Sequence, residues 1–391
     1  MTIARLFLVG CFAAALPAWA VYAPLPEQDI QKDFTATVRG GVYHDSNIFG
    51  AESGAISSTV YTLQPKLAYN SSLTDQTFAS AGYTATIDHF DNRPGEKTVD
   101  SHDFMARLAH AFSSSSNIDV SNFYQIAKNP ESLLAGLPIN TDQSYKRNEF
   151  NARYVASPLP KLGATLKFRS VLYDYDNPVL SGSIDRIENL FGASGSYDLL
   201  PELKGVVEYR RENINYRKGG ATKDKDSDFL IGGFDYAVAR KLTLTGRLGN
   251  QWRERASERS SSGAYAEFSG KYNYAERSFV TGGYVYTLEE TSNVALYSDT
   301  RVSRLFVNLQ HSLSPLMVAS ASYTYEPSEL QGRRGVANAD ETTQRAGLAL
   351  TWLPTPHWSF SANYDYDDVS SEAPGRDQNR ERYGVSAAYQ F

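Results

Sequence analysis

The sequence predicts an all-β fold: a transmembrane antiparallel up-and-down β-barrel of about 18 strands, with short periplasmic turns and long extracellular loops. Three observations predict it. The chain closes on Tyr383, Val385, Ala387, Tyr389 and Phe391, spaced two apart, with Arg382, Gly384, Ser386, Ala388 and Gln390 between them. A strand sends alternate side chains to opposite faces, so this segment is apolar on one face and polar on the other. Comparable segments recur along the chain, and their connections alternate between tight turns and longer polar stretches. No stretch after residue 20 is apolar enough for a membrane helix, and the mean hydropathy is −0.41. A barrel reconciles that polarity with a membrane, because half of its strand residues face an aqueous lumen. A soluble β-sandwich array would need neither the terminal aromatic stripe nor the loop asymmetry.

Residues 1–20 form a signal peptide, with Arg5 as the positive start, Leu6 to Leu16 as the apolar run and Ala18-Trp19-Ala20 as the cleavage site. Cys11 is the only cysteine, so the mature chain is expected to have none. Residues 21–33 read as a periplasmic tail, too short for a plug domain, and 34–391 as the barrel. Strands are expected near 34–44, 58–70, 77–89, 102–112, 117–127, 146–156, 161–173, 187–198 and 203–214. They continue near 228–238, 241–253, 263–274, 278–289, 302–313, 316–326, 343–353, 357–367 and 381–391. Tight turns fall at Ser157-Pro158-Leu159-Pro160, Leu200-Pro201, Ala239-Arg240, Ala275-Glu276-Arg277, Ser314-Pro315 and Leu353-Pro354-Thr355-Pro356. Between them lie the expected external loops, 45–57, 90–101, 128–145, 174–186, 215–227, 254–262, 290–301, 327–342 and 368–380. The apolar run 133–139 inside one of these loops is expected to pack on the rim, with infolding into the bore as a constriction the alternative.

Parity assigns faces. Tyr69, Phe112, Tyr154, Tyr197, Tyr236, Tyr274, Trp352 and Trp358 share the apolar parity beside short turns and predict a periplasmic aromatic girdle. The opposite parity places Arg39, Lys66, Arg107, Arg153, Lys167, Arg169, Lys204, Arg210, Arg247, Arg253, Lys271, Arg304, Arg345 and Arg382 in the lumen. The acids expected beside them are Asp88, Asp119, Glu149, Glu208, Asp235, Glu267 and Asp365. The chain as a whole carries −6, so this reading concentrates base in the bore and acid in the loops. A lining of one sign enriches solutes of the other. The densest basic patch is expected from Arg153, Lys167, Arg169, Lys204, Arg210 and Arg247. Ion pairs that merely stiffen the wall are the competing account of each residue. Ser, Thr, Asn and Gln at further inward positions, Gln64, Asn308 and Asn363 among them, suit exchangeable hydrogen bonds to hydroxylated solutes.

Chemistry is sparse. The six histidines have no metal-ligand spacing, and neither a G-x-S-x-G elbow nor a phosphate-cradling loop appears. Neither catalysis nor a cofactor nor nucleic-acid binding is expected. His110 and His311, with nearby serines, read as interfacial residues rather than a lipase dyad. Expected partners are outer-membrane lipids and lipopolysaccharide, and the barrel-assembly machinery through the aromatic Phe391.

The first hairpin carries Gly40-Gly41-Val42-Tyr43-His44-Asp45-Ser46-Asn47-Ile48-Phe49. This string resembles the opening of the putative outer-membrane β-barrel proteins of exopolysaccharide operons, including those associated with exosortase B. The resemblance extends more loosely through length, hairpin spacing and closing strand. It implies localisation in the bacterial outer membrane and a pore that exports an anionic or hydroxyl-rich exopolysaccharide, supplied by periplasmic export partners. A diffusion porin for uptake of small solutes and a non-conducting structural barrel share the same sequence pattern. The family offers no catalytic residues to carry over, so Asp45, Ser46 and Asn47 stand as a signature suited to capping the first external loop. His44 departs from the smaller or acidic residue of that pattern.

Overall fold

The computed structural model describes residues 33–128, 142–218, 223–256, 260–291 and 293–391. The expected signal peptide, most of the tail and the run 133–139 lie outside them. Strands β1 (Phe34–Asp45), β2 (Ser58–Thr74), β3 (Thr77–Phe90), β4 (Thr98–Ser113), β5 (Ser116–Ala127) and β6 (Tyr145–Leu159) open the barrel. Then come β7 (Leu162–Tyr175), the helix α1 (Pro178–Ile184), β8 (Arg186–Leu200), β9 (Leu203–Tyr216), β10 (Lys225–Ala239), β11 (Leu242–Arg255) and β12 (Ser261–Ala275). The last six are β13 (Ser278–Glu289), β14 (Tyr297–Ser314), β15 (Met317–Gly332), β16 (Ala339–Trp352), β17 (Trp358–Ser371) and β18 (Gln378–Gln390). Each strand pairs antiparallel with its sequence neighbours, and β1 pairs with β18, so the 18-stranded sheet closes on itself. Closure pairs the first strand with the last and leaves the sheet no open outer edge, which is what lets a sheet cross hydrocarbon.

The alternation behaves as the pleat demands. Leu63, Leu67, Val207, Leu348, Leu350, Tyr383 and Val385 all lie exposed on the outer surface, where lipid replaces water. Tyr69, Phe112, Tyr154, Tyr197, Tyr236, Trp352 and Trp358 are exposed near the short turns, and Tyr274 stacks there on His311. This belt and girdle place the protein in the bacterial outer membrane.

Short turns close one end, such as Asp75-Gln76 and Pro201-Glu202. At Glu276-Arg277 the tight turn forces φ 56° on Arg277, a non-glycine residue. Its guanidinium donates to the Pro315 carbonyl at 3.1 Å in the neighbouring turn, and its own carbonyl accepts from Gln310 at 3.1 Å. Those contacts offset the cost of a left-handed residue with a side chain.

The opposite end departs from expectation in one respect. Segments 90–101, 290–301 and 327–342 are partly strand: β4 begins at Thr98, β14 at Tyr297, and β15 runs to Gly332. At about 3.3 Å per residue the 18-residue β14 is roughly 60 Å long, against an apolar band about 25 Å tall. Beyond the band both faces meet water, so the ladder continues without apolar alternation to advertise it. Small apolar clusters lie under the outer loops. One joins Ile48, Val60 and Phe90, and another joins Tyr175, Leu180, Ile184, Ile214, Tyr216 and Val294. The second holds α1, whose start is capped by Asn177 accepting from the Val179 N–H at 2.9 Å.

Candidate functional site: the lumen wall

All fourteen basic residues keep the inward parity of their strands. They do not form one surface. Arg107 donates to Asp119 at 2.9 Å, and Arg153 lies 4.0 Å from the same carboxylate. Glu208 accepts from Lys167 at 3.4 Å and from Arg210 at 2.9 and 3.1 Å. Lys204 pairs with Asp198 at 3.6 Å, Arg247 with Asp235 at 2.6 Å and Arg382 with Asp367 at 2.7 Å. Arg304 reaches Glu289 at 3.1 Å and also Glu326. Lys271 sits over the Phe279 ring, 4.7 Å from its centre. Arg169 is buried, Arg39 and Arg345 are half-buried, and Lys66 is exposed to the bore.

The expected seven acids fall short of those present. Glu188, Glu212, Glu289, Glu326, Glu341 and Asp367 also take inward parity on β8, β9, β13, β15, β16 and β17. They lie toward the outer ends: Glu188, Glu212, Glu289, Glu326 and Asp367 at the ends of strands expected from the sequence, and Glu341 in a segment expected as loop. The densest basic patch is corrected accordingly. Its residues stand on β6, β7, β9 and β11, and β8 and β10 interleave Asp198 and Asp235. Most of these arginines brace the wall.

Burial divides the lumen into two sectors. On the outer half of β7 to β14 the inward side chains are covered: Arg169, Val171, Arg186, Leu190, Arg210, Ile214, Ser227, Phe229, Ile231, Gln251, Arg253, Val285 and Val302 are all buried. On β15 to β18 and β1 to β5 many inward residues keep partial access, including Arg39, Gln64, Lys66, Arg345, Asn363 and Arg382. The open path is therefore a crescent beside β15–β5.

The cover is the outer part of the β13–β14 hairpin, folded into the barrel. Asp299 shares the parity of the lipid-facing Leu305, Val307 and Leu309 on its own strand, yet is 0 % exposed. It lies within the barrel against β10 and β11, where Arg253 donates to it at 2.7 Å, Lys225 lies 3.4 Å away and Arg255 also pairs with it. Glu290 accepts from Lys225 at 2.6 and 2.8 Å and from the Tyr216 hydroxyl at 2.6 Å. Burial by itself would push the Glu290 carboxyl up, but the Lys225 ammonium outweighs it and holds the group below the usual carboxylate range. Arg253 also reaches Glu212 at 3.2 Å and Ser227 at 2.9 Å, tying β9, β10, β11 and β14 together. Sequence reading placed Arg253 in the lumen and missed Asp299. No parity rule finds a residue where β13 and β14, still paired to β15, have turned in from the edge of β12.

The signature of the first hairpin joins the two ends of the sheet. Asp45 is buried, accepts from the Asn47 N–H at 3.0 Å and is held by Arg380. Asn47 bonds both the N–H and the carbonyl of Ala51, at 2.9 and 2.8 Å, which caps the first loop as expected. Ser46 accepts from the Glu381 N–H at 2.8 Å. His44 faces outward against Tyr383, 5.3 Å between rings, so a larger residue is accommodated there by the seam itself. His110 bonds Thr77 and His311 bonds Tyr274, at 2.8 and 2.9 Å. Among the described residues no cluster of three or more metal-binding side chains occurs.

No family model matches the chain, and neither does any curated protein. Solved structures of similar shape include the outer membrane protein OpdK of Pseudomonas aeruginosa, at 12 % identity and TM-score 0.48, covering 93 % of this chain and 100 % of that one. OpdQ of Pseudomonas aeruginosa is similar at 11 % identity and TM-score 0.48, covering 92 % and 99 %. The FrpB iron transporter of Neisseria meningitidis is similar at 12 % identity and TM-score 0.46, covering 87 % and 62 %.

Proposed function

We propose that this protein is an outer-membrane pore that passes a hydroxyl-rich, acidic exopolysaccharide out of the cell. The observation that carries the reading is the accessible crescent of the lumen. Its wall is built of hydroxyl, amide and charged side chains, among them Gln64, Lys66, Arg345, Asn363 and Arg382. Such a wall offers successive weak contacts to a moving chain and no deep site to trap it. The Asp45-Ser46-Asn47 signature and its resemblance support the choice of cargo. The fourteen basic residues divide in this reading: those on the crescent guide the solute, and those under the hairpin hold the wall.

A second reading has its own support. The infolded hairpin narrows the outer mouth, and a crescent suits small solutes diffusing inward as well as a threaded polymer. Liposome swelling with the purified protein and oligosaccharides of graded length separates the two, together with a deletion strain assayed for surface polysaccharide. Loss of the polysaccharide with the gene supports export. An intact surface polymer, together with rapid uptake of monosaccharides only, overturns it in favour of a porin.

A further inference from the structure

Where the hairpin leaves the wall, a ladder is left unfinished. The β11–β12 register runs outward to Arg253 opposite Ser261, but the β12–β13 register stops at Ala266 opposite Tyr286. Continued without a break, it would set Tyr265 against Thr287, Ala264 against Leu288 and Gly263 against Glu289. Side chains of β11 stand in for that missing strand. The Gln251 amide faces the Leu288 peptide as another peptide would, its Oε1 accepting from the N–H at 3.3 Å and its Nε2 reaching the carbonyl at 3.5 Å. Arg253 takes the carbonyls of Leu288 and Glu289 at 3.3 and 3.4 Å. The hairpin thus has two sets of partners available, one inside the bore and one in the wall, which is the requirement for a two-state element.

The inner position is held by charge. Lys225, Arg253 and Arg255 face three carboxylates, Glu212, Glu290 and Asp299. Two of the three acids, Glu290 and Asp299, belong to the hairpin. If the hairpin returns to the wall they leave with it, and the cluster around Lys225, Arg253 and Arg255 loses two negative charges. Desolvated cations stripped of their carboxylates are costly, so the outward state requires an anion in place of those two acids. We propose that Lys225, Arg253 and Arg255 form an anion site for carboxylate-bearing sugar, occupied in the resting pore by the protein's own Asp299 and Glu290, and that a uronic acid displaces these groups and releases the hairpin. The site rests on the pore reading above and names the acidic group of its cargo. It makes the channel open to the solute it carries.

Planar-bilayer recording with the purified full chain tests the site, using glucuronate as probe and glucose as the uncharged control. Glucuronate is expected to populate a state of at least two-fold higher conductance, and glucose is expected to leave the record unchanged. Asp299→Asn combined with Glu290→Gln is expected to hold the larger state without any solute. Because that pair can also impair folding, a second variant joins Gln251→Cys to Thr287→Cys, whose parent side chains meet at 3.4 Å. A short thiol cross-linker across them is expected to abolish the glucuronate response, and the uncross-linked variant to retain it. A conducting wild type that ignores glucuronate, or a cross-linked hairpin that still responds, overturns the anion site and leaves the pore intact. Absence of any conductance overturns the pore reading itself.

Discussion

Asp45 and Arg380, 335 positions apart in the chain, clasp across the line where the barrel closes: Nε of Arg380 lies 3.0 and 3.1 Å from the two carboxylate oxygens. Asp45 ends β1, and Arg380 lies near the outer end of β18, so the pair fastens the last rungs of the closing ladder. Both side chains are well buried. Removing one partner of a buried pair typically costs about 3–5 kcal/mol, because the other is left charged and unsatisfied. Asp45→Ala is therefore expected to lower the temperature at which the folded band is lost in heat-modifiability gels, and Arg380→Gln to do the same. An unchanged transition in both would show that the signature does not fasten the seam.

The same seam carries a glycine that geometry requires. A Cβ placed on Gly384 would stand 2.5 Å from both the Val42 carbonyl oxygen and the Tyr43 Cβ. Backbone cannot yield as a side chain can, so the strands would have to part. Gly384→Val is expected to block closure and leave urea-refolded protein without the compact gel form. Gly40→Ala on the facing strand, where nothing lies within 4 Å, is expected to fold normally. Equal behaviour of the two variants would refute a steric cause.

The fold was legible because the lipid imposes a strict period of two on every crossing strand, from Leu63 and Leu67 on β2 to Tyr383 and Val385 on β18. It faded at the outer ends for the same reason. Above the lipid no face must be apolar, so Tyr297–Arg301 reads as loop although it is strand. Pro65 shows a second limit. A proline inside a strand argues against that strand, yet β2 keeps its place because the ladder to β3 lapses at Gln64 and Pro65 and resumes at Lys66 opposite Thr84.

Acid is expected to loosen the loop that carries α1. Asp185 is buried at the end of α1, accepting from the Tyr175 N–H at 2.8 Å and the Ser181 hydroxyl at 2.7 Å, with Lys218 at 2.9 Å. Burial pushes its carboxyl up, but these partners outweigh it and the group titrates below the ordinary range. A lowered native value means that ionised Asp185 stabilises the loop at neutral pH. That contribution starts to fall as the pH drops into the ordinary carboxylate range near about 4 and disappears below the lowered value. Limited proteolysis between α1 and β8 should accelerate over that window in the wild type. Asp185→Asn should be cut faster at neutral pH, with little further change on acidification.

The site was legible only halfway. Parity put all fourteen basic residues inside, but it is blind to what stands opposite them. Glu208 was foreseen beside Arg210, whereas Asp299 comes to Arg253 from three strands away on a hairpin whose outward face has turned in. Partners set by that tertiary movement leave no local pattern in β14.

Selectivity should separate the crescent from the brace. Lys66 is exposed to the bore and Arg345 half-buried on the open side, whereas Arg210 is buried against Glu208 and Tyr265, and Arg304 between Glu289 and Glu326. A unit charge about 10 Å from a passing ion in water is worth about 0.4 kcal/mol, near a two-fold bias in occupancy. Lys66→Gln and Arg345→Gln are each expected to lower the anion-to-cation permeability ratio by about two-fold, read from reversal potentials in a salt gradient, with folding unchanged. Arg210→Gln is expected to act on stability instead, since Glu208 would lose its closest partner inside the wall. Its effect should appear as a lower thermal transition with a permeability ratio near the wild type. If Arg210→Gln shifts selectivity as much as Lys66→Gln does, ions pass through the β7–β14 sector, and the crescent is not the path.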